Sequence, residues 1–225
     1  MTTLAELKLA IDAILNHRLG ISNWKLNRTV EEKAYEAYVF SLCARAVAEM
    51  GGKPVARTNQ GTPGSFVFRG GPGQIHSQRA NYGYLRFTMG GDDYELHAGV
   101  EFRGTSEMMH ELDVCIMRAV EADRCRGLTP DDPNPRSLLG AWECKFYGKT
   151  VGKDAGREFV GLLSDMGNNC RTAGLCSNVE STELRKFLRP RRRPNPHFLL
   201  IPAHGPLEDE FVGHLKSELR KATCT

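Results

Sequence analysis

From Leu85 to Phe102, apolar and polar residues alternate on either side of a Gly90-Gly91-Asp92-Asp93 break, with Leu85, Phe87 and Met89 before it and Leu96, Ala98, Val100 and Phe102 after it. Period-two alternation gathers the apolar side chains of a strand on one face, and a glycine pair followed by aspartates supplies a turn, so this stretch predicts an antiparallel β-hairpin. A hairpin with one apolar face needs more sheet or a helix to cover it. Two later segments offer more sheet. In His110-Glu111-Leu112-Asp113-Val114 the pattern puts Leu112, Val114 and Ile116 on one face and Glu111 and Asp113 on the other. In Trp142-Glu143-Cys144-Lys145-Phe146 the aromatics share a face with Cys144, opposite Glu143 and Lys145. The unbroken apolar run Phe198-Leu199-Leu200-Ile201 predicts a strand buried on both faces. Arg57 to Gln78 is rich in Gly, Pro, Ser and Asn and predicts loop, with a short strand near Ser65 to Arg69. Cys170 to Ser177 reads as a gap between elements, and residues 121–138, with three prolines, as a surface insertion.

Helical spacing appears elsewhere. Leu4, Leu7, Ile11, Ile14 and Leu15 form one stripe that Gly20 ends, and Thr29-Val30-Glu31-Glu32 fits a capping box opening a helix through Tyr35, Tyr38, Val39 and Leu42 to Gly51. Glu36 lies on that helix in a stripe continued by Phe40, Cys43 and Val47, where a carboxylate needs a partner or a way out to water. Gly156 to Met166 and Ser181 to Leu188 predict two more helices, and a last one follows Pro206, with Glu208, Asp209 and Glu210 at its start and Lys216, Arg220 and Lys221 at its end. This order predicts an α/β fold with a central mixed sheet of about four to five strands flanked by helices. At 225 residues the chain fits one domain, with a helical extension over 1–28, a core over 29–204 and a closing helix over 205–225.

Composition excludes more than it selects. Seven cysteines at irregular spacing predict reduced thiols rather than a disulfide framework or a zinc site, and so a reducing, cytoplasmic setting. No apolar stretch is long enough to span a membrane, and charges among the first hydrophobes argue against a signal peptide. A net charge of +3 names no partner, but six of the nine residues from Arg185 to Arg193 are basic: Arg185, Lys186, Arg189, Arg191, Arg192 and Arg193. Such a run is either a solvated loop or an arm that releases counterions from a polyanion. Gly148-Lys149-Thr150 fails as a phosphate-binding loop because Glu143 stands where its first glycine belongs.

The chemistry-bearing pattern is the pair of strands. Glu-x-Lys also occurs at Glu6-Leu7-Lys8 and Glu31-Glu32-Lys33, both in helical context, so only Glu143-Cys144-Lys145 lies in a strand. If the two strands are neighbours, Asp113, Glu143 and Lys145 converge, giving two oxygen donors for a hard cation beside an ammonium; the alternative is a surface ion pair on an edge strand. An acid on the strand after a hairpin, followed by acid-x-lysine on the next, resembles the PD-(D/E)XK, or restriction-endonuclease-like, nuclease superfamily over roughly residues 29–204.

The resemblance implies a restriction-endonuclease-like core that holds Mg²⁺ or Mn²⁺ through Asp113, Glu143, the backbone carbonyl of Cys144 and Glu36, the acid of the first core helix. It implies catalytic roles for Asp113, Glu143, Lys145 and Glu36, with Lys145 orienting or deprotonating the attacking water, its pKa lowered by the nearby metal, and with Arg157 on the following helix meeting the phosphate. The partner so implied is nucleic acid, foremost double-stranded DNA met by the basic run, with a homodimer or larger assembly to reach both strands. An inactive nucleic-acid-binding module of the same fold is the alternative. Two departures stand out: Leu112 occupies the place of the nominal proline, and about thirty residues separate Asp113 from Glu143.

Overall fold

The computed structural model describes residues 2–61, 65–79, 81–127, 129–167, 170–191 and 194–223. Its frame is a seven-stranded mixed sheet in the order β2-β4-β5-β6-β7-β8-β9, formed by β2 (Val55–Thr58), β4 (Gly83–Met89), β5 (Asp92–Arg103), β6 (Met109–Arg118), β7 (Leu138–Lys145), β8 (Thr172–Ser177) and β9 (Asn195–Phe198). The expected class is met, but the sheet has seven strands rather than four to five. Pairing is antiparallel from β2 to β7 and parallel from β7 to β9. The helices α4 (Lys153–Asp165) and α5 (Thr182–Leu188) make the two parallel crossovers. A separate parallel pair joins β1 (Trp24–Leu26) to β3 (Phe66–Phe68). The hairpin forms as expected, with Met89 opposite Asp92 and both Gly90 and Gly91 at positive φ (62° and 90°), the turn geometry that matches strand twist.

Helices cover both faces. On one side α1 (Leu4–Leu15), α2 (Glu31–Glu49) and α6 (Gly205–Thr223) bury Leu7, Ile11, Tyr35, Phe40, Phe211 and Leu215 against Leu96, Val114, Ile116 and Trp142. On the other, α3 (Ala119–Cys125), α4 and α5 bury Ala122, Phe159, Leu163 and Leu184 against Val100, Phe102, Leu112 and Leu175. The capping box belongs to α1, where Glu6 N–H donates to Thr3 Oγ1 (3.3 Å) and Thr3 N–H to Glu6 Oε2 (2.8 Å). The expected box at Thr29 is absent: Val30 is the N-cap of α2 and makes no side-chain cap bond.

Three further expectations are corrected. The surface insertion expected over 121–138 is such only in part, since its first residues, as far as Cys125, belong to α3, and Arg126 just after α3 donates to the fully buried Glu95 carboxylate at 2.7 and 3.0 Å. The last strand begins earlier than Phe198 and lies at the sheet edge, where Pro196 is tolerated because an edge strand has one unpaired side; Leu199, at φ 55°, ends it. Finally, Leu112 does not share a face with Val114 and Ile116. Leu96, Ala98, Val114 and Ile116 pack toward α2, whereas Val100, Phe102 and Leu112 pack toward α4. The switch falls at Gly99, whose φ of 63° excludes most side chains and whose added Cβ would stand 3.2 Å from the Gly71 carbonyl. Across from it, Asp113 has no register partner between the pairs Ala98–Val114 and Val100–Leu112.

The six described cysteines are free and buried, with Cys224 outside the described residues. Among the described residues, no helix is long and apolar enough to cross a membrane.

Candidate active site: four carboxylates and two lysines

Asp113 sits where two irregularities meet. β6 and β7 remain paired only as far as Val114–Trp142, after which β7 continues along β8 to Lys145–Ser177. Beyond that point the Asp113 side chain takes over from the ladder, Oδ2 accepting the Cys144 N–H at 2.7 Å. A residue's N–H and C=O leave a strand by the same edge, so the Cys144 carbonyl faces the same opening. One residue to either side, Glu143 and Lys145 form an ion pair, Oε1 to Nζ 2.5 Å, both largely shielded.

From α2 come Glu36 and a residue that the sequence did not mark, Lys33. Its ammonium donates to both Glu36 oxygens (2.7 and 2.9 Å) and stands 3.7 Å from Glu111 Oε1 on β6. That distance is too long for a hydrogen bond, and Glu111 Oε1 is buried without any hydrogen-bond partner. Glu101 lies directly across the ladder from Glu111. The only trace in the sequence was spacing: Lys33 precedes Glu36 by three, which puts them on one helix face.

Charge crowding explains how these groups titrate. Burial raises Asp113 well above the carboxylate range, helped by Glu143 and Glu36 and opposed by the Cys144 N–H and Lys145. Burial likewise lifts Glu36 to about 7, with Lys33 pulling down and Glu111 and Glu143 pushing up. Glu111 is raised by burial, against Lys33, with Glu143 and Glu101 adding to the rise. For both lysines burial works downward and is outweighed: Glu36, Glu111 and Asp113 raise Lys33, and Glu143 and Asp113 raise Lys145. Without a metal ion Lys145 is therefore a firmly held ammonium, and the lowering expected of it belongs to the site with an ion bound.

The structure brings together Asp113, Glu143, Lys145, Glu36 and the Cys144 backbone; the Cys144 thiol itself is turned into the core facing α2. It does not bring in Arg157, whose guanidinium is 57% exposed and pairs with Asp154 at 3.0 Å along α4. His110, at the start of β6, is engaged elsewhere, Nε2 bonding Asp165 Oδ2 at 2.6 Å, which ties that strand end to the end of α4. Of the basic run, Arg185 and Lys186 lie on α5 rather than in a loop, and Arg189 and Arg191 follow it exposed. Arg192 and Arg193 lie outside the described residues.

Arg185 pairs with Glu180 and lies 5.1 Å over the Phe198 ring, at the strand ends that carry Lys145 and Ser177. Because α5 runs back between two parallel strands, Arg189 and Arg191 lie toward the opposite end of the sheet; Arg191 stacks on Phe187 at 3.7 Å.

Among the described residues, no three His, Cys, Asp or Glu side chains are grouped to hold a metal ion as they stand. The chemistry of the donors nevertheless suits a hard divalent cation: every side-chain donor is a carboxylate oxygen, one of them is buried and unpartnered, and a main-chain carbonyl borders the opening. What stands in the way is the pair of ammonium groups already spent on Glu36 and Glu143. Concavity alone would have pointed elsewhere, since a cleft of about 540 Å³ lined by Ile21, Asn23, Arg57, Phe66 and Tyr84 holds no carboxylate. Comparison with known proteins finds no matching family model, curated protein or solved structure.

Proposed function

We propose that the protein is a Mg²⁺- or Mn²⁺-dependent nuclease of the restriction-endonuclease-like kind, cutting phosphodiester bonds in DNA. The supporting observation is the opening between β6 and β7, where Asp113 and the Glu143–Lys145 pair stand on adjacent strands with Glu36 facing them from α2. Asp113, Glu143, Glu36 and the Cys144 carbonyl would hold the ion. Bound there, it would supply a more acidic water and offset charge gathering on the phosphate. Lys145, kept protonated by Glu143 and Asp113, would orient that water and donate to a phosphate oxygen rather than remove a proton. The Asp113 bond to Cys144 fixes the carboxylate between strands, so its direction is set by the sheet and not by a mobile loop. Arg185 and Lys186 on α5 would meet the DNA backbone, Arg185 nearest the site, whereas Arg189 and Arg191, toward the other end of the sheet, lie off that path. No role falls to Arg157.

One observation favours a second reading, an inactive nucleic-acid-binding module: the two lysines already neutralise two of the carboxylates. A cleavage panel separates the readings. Linear, circular and single-stranded DNA and RNA would be incubated with Mg²⁺ or Mn²⁺ and wild type, Asp113→Ala or Lys145→Ala. The nuclease reading expects cutting by wild type and a loss of about 100-fold or more in both variants, as for removal of a group acting in the transition state. No cutting of any polymer would leave the binding module; cutting by both variants at wild-type rate would move the site elsewhere.

A further inference from the structure

Lys33 stands closer to Glu36 and Glu111 than any other cation, on the first turn of α2, and its geometry is that of a tenant rather than a tether. Its ammonium hydrogen-bonds both oxygens of Glu36 but stands 3.7 Å from Glu111, an ion pair that leaves the buried Oε1 without a hydrogen bond. A fixed structural ion pair would be expected to satisfy both carboxylates. Five carboxylates, Glu36, Glu101, Glu111, Asp113 and Glu143, stand around two ammonium groups, so acids outnumber bases in the site and a cation has a surplus of carboxylate oxygens to meet. Lysine is also free to depart. Its side chain is 15% exposed, it stands two residues inside the helix start, and Glu31 and Glu32 beside it are exposed, so rotation about its stem takes the ammonium into water.

We propose that Lys33 is an internal placeholder cation: it occupies the Glu36–Glu111 side of the site when no metal is bound and swings out to admit a divalent ion. The inference rests on the metal-site reading above. Lys33 then has two jobs, to prevent the carboxylates from repelling one another in the metal-free protein and, once displaced, to leave a positive group at the rim of the site where a phosphate arrives.

A placeholder competes with what it replaces, and that gives it a signature opposite to that of a ligand or a structural contact. Mn²⁺ binding would be followed calorimetrically, with no nucleic acid present, for wild type, Lys33→Met and Lys33→Gln, the last keeping a hydrogen bond to Glu36 should the first fold poorly. The expected result is Mn²⁺ affinity at least about tenfold tighter in the variants than in wild type, since removing the competitor also leaves one more net negative charge. In chelator, the variants should melt below wild type, and Mn²⁺ should restore them. Equal or weaker Mn²⁺ binding in the variants overturns the placeholder while leaving the metal site intact. If wild type and both variants all fail to bind Mn²⁺, the metal-site reading falls and the placeholder falls with it.

Discussion

Asp113 is fixed by a main-chain N–H of the neighbouring strand, whereas Lys33 is held by a carboxylate one turn along its own helix. Asp113 could be found in the sequence because it takes a polar place in an alternating strand and the next strand-like segment carries Glu143-Cys144-Lys145. Lys33 could not, because Glu31-Glu32-Lys33 has the look of a solvated first turn, and only the packing of α2 against β6 turns it inward. Glu36 lay between these cases, an acid on an apolar stripe whose partner proved to be its own helix neighbour. Arg157 failed because a helix face can be read from spacing, but the direction that face takes around a sheet cannot. His197 shows another effect of packing on a single group. Its ring lies edge-on to Phe211 at 4.9 Å with His214 at 5.5 Å, and burial, then repulsion from His214 and Arg185, pushes it down from 6.5 to about 3. A histidine depressed in the folded state takes up its proton more readily when unfolded, so stability present above pH 6.5 is lost as pH falls from 6.5 toward 3. Denaturant melts between neutral pH and about pH 4.5 should therefore show a smaller loss for His197→Gln than for wild type. Parallel losses would show that His197 does not drive the acid sensitivity.

Among the elements, β8 was the one the sequence hid most completely. Thr172-Ala173-Gly174-Leu175-Cys176-Ser177 is buried at every position, so it has no polar face to produce alternation, and its small residues carry little β signal. Its smallness has a cause next door. A Cβ on Gly174 would meet Trp142 Cδ1 at 2.7 Å and His197 Cδ2 at 3.0 Å, so the strand makes room for the indole that covers it. Gly174→Ala should cost about 1–3 kcal/mol, as overpacking a full core does, read as a lowered denaturation midpoint with the far-UV spectrum unchanged. A neutral substitution would show that Trp142 can move aside. The hairpin of β4 and β5 was legible because a two-glycine turn between alternating runs leaves few alternatives, although Asp92 and Asp93 belong to β5 rather than to the turn and the apolar residues change faces at Gly99. The strand at β9 was misplaced because the apolar run Phe198 to Ile201 includes its end and the residues that leave it.

For the molecule as a whole, the class was legible and the strand count was not, since short or small-residue strands add width to a sheet without adding pattern. The long span between Asp113 and Glu143 was the weakest point of the sequence reading, and α3 resolves it by packing the insertion onto the sheet through the Arg126–Glu95 bonds. Two apolar clusters line opposite faces of the same seven strands. The cluster on the α2 side also takes in Phe66 and Phe68 of the small β1–β3 pair, but both clusters rest on the seven strands, so loss of those strands should dissolve both together. Tryptophan fluorescence, which reports the α2 side through Trp24 and Trp142, and far-UV circular dichroism should give coincident unfolding curves. Separated curves would mean that one face melts first.

The bond from Cys144 to Asp113 reaches beyond stability. Where β6 parts from β7, a side chain has been substituted for a main-chain acceptor, so the proton on the Cys144 nitrogen is held by a group whose charge can change. That one amide is thus a gauge wired into the site: its exchange with water and its resonance frequency follow whether Asp113 is ionised, neutral or drawn toward a cation, with no substrate needed to read it.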